Sequence, residues 1–248
     1  MIVIKTRREL ETMRISGRMV AEILAVLKEA IKPGVTTMQL EELALAETAK
    51  RGAKPAFKGY AGYPYALCCS PNDRVIHGMP NQTPLVEGDI LSIDFGVIYQ
   101  GYYGDSAMTV PVGRCSEQAT ELLQVTEQSL YDGINQARAG QRLFDISSAV
   151  QTTVERAGFS VVRDFVGHGI GTKLHEEPQV PNFGTAGRGI LLKPGMVLAI
   201  EPMVNRGGYE VNVLKDGWTT VTADGSLSAH FEHTVAITDH GPEILTQV

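Results

Sequence analysis

Two segments of the chain repeat two others at an almost constant distance, and this repetition restricts the possible folds more than any other feature. Residues 34–52 align without a gap on residues 140–158, at an offset of 106, and residues 88–94 align on 195–201, at an offset of 107. The first pair has the pattern of a helix, and the second is a turn glycine, a short apolar strand and a terminal carboxylate. Chance similarity is the alternative for the helices alone, but the matched carboxylates favour a duplicated helix–helix–strand unit.

The helices have clear boundaries in the sequence. Thr6-Arg7-Arg8-Glu9 is a capping box that begins the first helix, and Pro33-Gly34 ends it. A second helix is predicted from Thr36 to Gly52. The apolar face of the first helix is formed by residues spaced three and four apart: Leu10, Met13, Gly17, Val20, Leu24, Leu27 and Ile31.

Strand-like runs follow, and two of them predict a hairpin. The runs cover residues 90–98, 102–110, 196–200 and 231–238, and Tyr99-Gln100-Gly101 is a turn signal between the first two. If Tyr99 and Gln100 form the turn, Asp94 faces Asp105 directly across the ladder. Residues 60–84 are rich in Gly, Pro and Tyr, and we expect an irregular loop there.

Charge and composition exclude several classes of function. The net charge of −6 and the pI near 5.5 argue against a nucleic-acid-binding surface. No uninterrupted apolar run is long enough for a membrane span or signal peptide. Cys68, Cys69 and Cys115 are an odd number without zinc-finger spacing, which is typical of a reducing cytoplasm.

Four carboxylates at the ends of apolar strands need counter-charges. At ~4 Å and an effective dielectric of about 20, two like charges repel by about 4 kcal/mol. No Lys or Arg lies within residues 90–98, 102–110, 197–202 or 230–235. Two divalent cations would offset the four carboxylates, and a neutral imidazole could complete the ligand set. Such oxygen-rich ligation suits Mn, Fe(II) or Co better than structural zinc. The four are Asp94, Asp105, Glu201 and Glu232.

Each of these residues also has a simpler interpretation when taken alone. Asp105 could be a turn acid, His168 a core histidine, and Glu201 the end of an edge strand before Pro202. Glu232 and His233 could be a solvated pair. These interpretations weaken only jointly, because the repeat places Asp94 and Glu201 at equivalent positions.

Six short motifs together resemble the type I methionine aminopeptidases of the pita-bread metallopeptidase superfamily, over essentially the whole chain. The motifs are Ser92-Ile93-Asp94, Gly101-Tyr102-Tyr103-Gly104-Asp105, Gly167-His168-Gly169-Ile170-Gly171, His175-Glu176-Glu177-Pro178, Ala199-Ile200-Glu201-Pro202 and Phe231-Glu232-His233-Thr234. The resemblance implies an α+β pita-bread fold, in which a central curved antiparallel sheet is covered by helices. It also implies a single catalytic domain of residues 1–248 with two pseudo-symmetric halves, about 1–112 and 113–248.

The resemblance implies an activity and a role for each motif. The expected reaction is hydrolytic removal of the initiator methionine from nascent proteins and peptides, with a small second residue preferred. Two metal ions, with Asp105 and Glu232 bridging, would activate a water that attacks the first peptide bond. Glu201 is expected to be ligand and proton acceptor, His175 to stabilise the oxyanion, and His77 to contact the substrate backbone. The five expected ligands are Asp94, Asp105, His168, Glu201 and Glu232.

A methionine pocket is implied by further matching positions. One departure is Leu174, where close relatives commonly carry an aromatic residue, and Gly96 and His230 also differ from relatives. The expected pocket residues, which His77 and His175 adjoin, are Tyr60, Tyr63, Cys68, Leu174 and Trp218.

The spacing of the motifs favours a minimal, bacterial-type enzyme, because 201–232 has no room for the long insertion of type II relatives. We expect a cytoplasmic monomer that meets nascent chains in transient association with the ribosome. One alternative is a Pro-specific aminopeptidase or dipeptidase, which usually carries an extra amino-terminal domain. A second is a binding module without activity, which should have lost at least one ligand.

Overall fold

The computed structural model describes residues 2–248, which form helices and strands in mixed order. Within this range there are four α-helices and one short 3-10 turn: α1 (Arg7–Ala30), α2 (Thr37–Lys50), the 3-10 turn Tyr60–Gly62, α3 (Glu117–Gln136) and α4 (Leu143–Arg156). The strands of the first half are β1 (Lys54–Pro55), β2 (Leu67–Pro71), β3 (Arg74–Ile76), β4 (Ile90–Tyr99) and β5 (Tyr102–Pro111). Those that follow are β6 (Ser160–Val161), β7 (Gly167–Gly169), β8 (Glu176–Val180), β9 (Val197–Ile200), β10 (Met203–Asn205), β11 (Val211–Val213), β12 (Thr220–Thr222), β13 (Ser228–His230), β14 (Glu232–Thr238) and β15 (Gly241–Ile244).

The predicted start of α1 is confirmed. The side chain of Thr6 accepts from the backbone N–H of Glu9, whose carboxylate in turn accepts from the backbone N–H of Thr6 at 2.7 Å. Two backbone donors that the helix leaves free are thereby satisfied. One face of α1 is buried, and a Cβ at Gly17 would overlap the carbonyl group of Leu245. The glycine therefore allows α1 to lie directly against the chain beside it.

A nine-stranded antiparallel sheet forms the centre of the molecule. Its strands run in the order β1-β4-β5-β14-β9-β7-β8, with β2 beside β4 and β15 beside β14. The helices α1 and α2 pack on the β4 side, and α3 and α4 pack on the β9 and β14 side. The predicted α+β architecture, a curved sheet covered by helices, is confirmed.

Alternation along the strands separates the two faces of this sheet. In β4, Ile93 and Phe95 face the helices and are fully buried in the apolar core. Because successive side chains point to opposite faces, Asp94 between them points away from the helices. The face opposite the helices is therefore the one that receives polar residues.

The hairpin of β4 and β5 has a different register from the predicted one. Tyr99 pairs with Tyr102, so Gln100 and Gly101 form the two-residue turn, with φ of 49° and 83°. Both residues take the left-handed conformation that a tight hairpin turn needs. Asp94 consequently pairs with Ala107 and not with Asp105, and the predicted direct opposition is wrong by two residues.

The predicted irregular loop at 60–84 is also partly wrong, since it contains β2 and β3. The start of β2 is held by Glu41 on α2, whose carboxylate accepts from the backbone N–H groups of Ala66 and Leu67 at 2.8–3.1 Å. A long-range contact of this kind leaves no mark in the local composition. Over residues 2–248, no helix has the length and apolar character that a bilayer crossing needs.

Candidate functional site

Two rows of residues across the sheet bring the expected site residues together. Asp94 pairs with Ala107, which pairs with Glu232, so these three lie in one row. Glu201 follows the last residue of β9 and extends the same row, because the preceding residue, Ile200, pairs with His233. The row thus carries three carboxylates from three different strand regions on the face away from the helices.

The second row lies two residues further along the strands and adds the other two groups. Asp105 is fixed beside Thr234, whose hydroxyl accepts from the Asp105 N–H at 3.2 Å and donates to its carbonyl at 2.7 Å. Thr234 pairs with Ala199, which pairs with His168. All five residues therefore converge from β4, β5, β7, β14 and the end of β9.

Burial and mutual repulsion make this group of acids unfavourable by itself. Burial, followed by the charges of Asp105 and Glu201, raises the pKa of Asp94 well above its usual range. Burial first and then the neighbouring acids likewise raise the pKa of Glu201 and of Glu232. Burial raises the pKa of Asp105 to about 7, although the backbone N–H of Ser106 opposes the shift. Carboxylates held in this way need a counter-cation to be ionised at neutral pH.

Buried carboxylate oxygens without hydrogen-bond partners indicate what kind of cation this group binds. Among residues 2–248, Asp94 Oδ1, Asp105 Oδ1 and Glu232 Oε1 are buried side-chain oxygens without any hydrogen-bond partner. Ligand atoms of Asp105, His168 and Glu232 lie within 4.8 Å of one another. Buried polar atoms without partners are rare in native proteins, and oxygen atoms that share a metal ion need no hydrogen bond. The donor set therefore fits divalent metal ions.

His168 is oriented as a metal-binding histidine would be. Its Nδ1 lies 2.9 Å from the carbonyl oxygen of Gly169, so Nδ1–H donates and the lone pair is at Nε2. That Nε2 faces Glu201 Oε1 at 3.4 Å and Asp105 Oδ2 at 4.0 Å. Burial lowers the pKa of His168 to about 3, so the ring is neutral. Three lone-pair donors facing one another are compatible with a cation between them.

The second histidine of the same segment, His175, lies at the rim of this group. Its ring packs edge-on against His168 with centroids 4.3 Å apart, and its Nδ1 is 2.6 Å from the hydroxyl oxygen of Tyr60. Burial lowers the pKa of His175. The segment therefore places two neutral imidazoles side by side, with different partners.

An aromatic and apolar pocket adjoins the acidic residues. The hydroxyl of Tyr63 donates to the carbonyls of Leu67 and Gly78 at 3.2 and 3.0 Å, and its ring lies edge-on to Trp218 at 5.2 Å. The cavity has a volume of about 120 Å³ and is lined by no Lys or Arg among residues 2–248. Its lining is Phe57, Tyr60, Tyr63, Cys68, His77, Asp94, Asp105, His168, Leu174, His175, Glu201, Trp218 and Glu232.

His77 occupies an unusual backbone conformation on this cavity. Its φ of 58° lies in the left-handed region, which costs energy for a residue with a side chain. The ring stands edge-on between Phe165 and Trp218, at 5.7 and 6.2 Å. Burial lowers the pKa of His77 to about 4. Such strain is typical of residues whose direction matters for function.

The structure adds Phe57 to the cavity lining. It also shows what surrounds Gly96 and His230, the two other positions where the sequence is expected to differ from relatives. A Cβ at Gly96 would lie 3.0 Å from Phe57 Cε1 and 3.0 Å from Ala56 Cβ, so the glycine makes room for the Phe57 ring. His230 is buried, and its Nε2 faces Glu201 Oε2 at 3.7 Å. No motif marks Phe57, which lies in the short segment Lys54-Pro55-Ala56-Phe57-Lys58.

Comparisons with known proteins show which family this chain resembles over its length. The model of metallopeptidase family M24 matches residues 11–239. The chain is 54% identical to the methionine aminopeptidase of Clostridium perfringens over 248 residues, and 53% identical to methionine aminopeptidase 1 of Bacillus subtilis; each comparison covers 100% of both chains. The crystal structure of methionine aminopeptidase from Thermotoga maritima superimposes with a TM-score of 0.99 at 51% identity, again over 100% of both chains.

Proposed function

The chain belongs to metallopeptidase family M24, and we propose that it removes amino-terminal methionine from peptides and nascent proteins by metal-dependent hydrolysis of the first peptide bond. One observation carries the proposal. Four buried or partly buried carboxylates and one oriented imidazole line a cavity that is continuous with an apolar pocket. A cluster of this kind is unstable without metal ions and has no use in packing.

Two divalent ions are the proposed cofactor, held by Asp94, Asp105, His168, Glu201 and Glu232. Four negative charges and one neutral nitrogen match two divalent cations in total charge. The oxygen-rich set favours Mn, Fe(II) or Co as the metal. When bound, such ions supply Lewis-acid chemistry that polarises a carbonyl group and lowers the pKa of a water.

Three side chains are proposed to act on the reacting peptide. Glu201, at the edge of the acidic row, accepts the proton of the attacking water and returns it to the leaving amine. His175 donates a hydrogen bond to the carbonyl oxygen as negative charge develops there. His77, fixed by its strained backbone and by Trp218, contacts the substrate backbone beside the scissile bond.

The pocket beside the acids accounts for the choice of methionine. Tyr63, Cys68, Leu174 and Trp218, with the ring of Tyr60, form an uncharged slot that an unbranched thioether can fill. The metal ions, when bound beside this slot, would supply a binding position for the free α-amino group of the substrate. An internal peptide bond has no free amine, so cleavage is restricted to the first residue, and we propose that a small second residue is preferred.

The test is a hydrolysis assay on protein reconstituted separately with Mn, Fe(II) and Co, with Met-Gly and Xaa-Pro peptides as competing substrates. We expect release of methionine from Met-Gly peptides, and metal analysis that gives two ions per chain. His168→Ala is expected to abolish turnover and to keep the fold, as measured by circular dichroism. Preference for Xaa-Pro peptides, or full activity of His168→Ala, would overturn the proposal.

The domain and cellular context form part of the same proposal. We propose a single catalytic domain of residues 1–248 with halves 1–112 and 113–248. It is supported by α2 and α4, which both have 14 residues and are followed by glycines with φ of 65° and 82°. A monomer that acts in the cytoplasm, near the ribosome, fits a substrate that is a nascent chain.

A further inference from the structure

The two histidines of the segment 167–175 have opposite kinds of partner at Nδ1. His168 Nδ1 lies 2.9 Å from the carbonyl oxygen of Gly169, which can only accept. His175 Nδ1 lies 2.6 Å from the hydroxyl oxygen of Tyr60, which can donate. In a neutral imidazole the partner of one nitrogen decides where the ring proton lies. The two rings therefore differ in the position of that proton.

We propose that Tyr60 is a positioning residue that holds His175 in the Nε2–H tautomer, opposite to that of His168. The Tyr60 hydroxyl donates to the His175 Nδ1 lone pair, and the single ring proton stays at Nε2. A neutral Nε2–H donor is what the carbonyl oxygen of a substrate requires, whereas an Nε2 lone pair would repel it. This assignment rests on the proposed function, in which His175 meets that oxygen.

The surroundings of His175 agree with this direction of the hydrogen bond. The rings of Tyr60 and His175 stand edge-on with centroids 5.1 Å apart, which fixes the imidazole plane as well as its proton. Within residues 2–248 the Tyr60 hydroxyl has no other protein partner. If Tyr60 accepted instead, His175 would have its lone pair at Nε2, and it would add another acceptor to a cavity whose lining already contains the acids and His168.

The effect of this contact is limited by solvent. Tyr60 is 39% exposed, so water can replace part of a lost hydrogen bond. Removal of the hydroxyl therefore lowers kcat by about tenfold, the effect of one ordinary hydrogen bond, and not by the full loss of a catalytic group. The ring itself lines the methionine pocket, and phenylalanine keeps it.

The experiment compares Tyr60→Phe with Tyr65→Phe, the matched control. Tyr65 lies five residues further on, and its hydroxyl has no hydrogen bond to any other residue in 2–248. Kinetics on Met-Gly peptide should give Tyr60→Phe a kcat about tenfold below wild type with KM within about twofold. Tyr65→Phe should match wild type in both.

A second readout tests the tautomer directly and does not depend on turnover. Long-range proton–nitrogen NMR of the zinc-loaded protein resolves both ring nitrogens of its six histidines. His175 is assigned from the signal that is lost in His175→Ala. We expect the proton at Nε2 in wild type and a mixture of tautomers for His175 alone in Tyr60→Phe.

Two results would overturn the assignment: a wild-type His175 with its proton at Nδ1, or a Tyr60→Phe variant with the kcat of Tyr65→Phe. Failure of the wild type to hydrolyse Met-Gly peptide with any metal would refute the proposed function. The NMR tautomer of His175 would still decide the role of Tyr60 in that case. Thermal unfolding of both variants confirms that the comparison is between folded proteins.

Discussion

The substitution Asp94→Asn should have opposite effects on the metal-free and the metal-loaded protein. Asp94 is a diagonal neighbour of Asp105 across the β4–β5 ladder, since its direct partner is Ala107. Their carboxyl groups nevertheless lie close enough for a hydrogen bond between them. At ~4 Å and an effective dielectric of about 20, two full charges repel by about 4 kcal/mol, and partial protonation of the buried acids leaves about half of that at neutral pH. We therefore expect metal-free Asp94→Asn to be more stable than metal-free wild type by about 2 kcal/mol, or about 4–8 °C in Tm.

The stability gained by metal-free Asp94→Asn should increase as the pH rises, because the acids that repel one another are then ionised. The folded pKa of Asp105 is raised to about 7, and those of Asp94, Glu201 and Glu232 are raised as well. The folded state thus binds more protons than the unfolded state above the ordinary carboxyl pKa of about 4. The stability that these four acids contribute to the metal-free protein in their protonated forms is fully present below that pKa. It is lost as the pH rises through about 7. Asp94→Asn should show a shallower fall.

Urea unfolding in the presence of a chelator, at pH 5 and pH 8, measures both effects. The control is Asp239→Asn, at an exposed turn after β14, which should follow wild type at both pH values. With metal added, Asp94→Asn should gain less stability than wild type and should lose turnover of Met-Gly peptide. A metal-free Asp94→Asn no more stable than wild type at pH 8 would refute the repulsion argument.

The remaining predictions concern packing and a buried ion pair. Gly96→Val should cost about 1–3 kcal/mol of stability and raise KM for Met-Gly peptide, because the valine side chain would displace Phe57 from the cavity wall. Urea unfolding measures the loss of stability, and steady-state kinetics measure KM. Unchanged values for both would contradict the packing account. Lys5→Met should cost about 3–5 kcal/mol, because Glu176 would stay buried without the amine that now lies 2.7 Å away. The double variant with Glu176→Gln should regain part of that loss in a double-mutant cycle, and additive losses would show that the two side chains do not interact.

The sequence was sufficient for the elements that have strong local patterns and for the choice of the acidic residues as candidates. The capping box at Thr6, the apolar period of α1 and the runs that became β4 and β5 are local patterns, and local physics forms them. Asp94 and Glu201 were recognisable because one lies within and the other directly after an apolar strand that has no basic residue to offset it.

Register and distant contacts were not accessible in the same way. The signal around Gln100 allowed two turns that differ by one residue, and that choice moved the partner of Asp94 by two positions. The strand β2 depends on Glu41, which lies 25 residues before the Ala66 N–H that it accepts from. Phe57 reaches the cavity only because Gly96, on a neighbouring strand, has no side chain.

The sequence by itself therefore determined which residues carry charge and which strands present them, and it predicted that metal ions offset them. It also predicted functional roles for His168 and His175, which lie seven positions apart in a glycine-rich segment. Only the tertiary structure decided how these two differ, because the partner of each Nδ1 is set by folding: a neighbouring carbonyl for one and Tyr60, 115 residues away, for the other. The chemistry of an imidazole depends on where its proton lies, and that position is determined by contacts between distant parts of the chain.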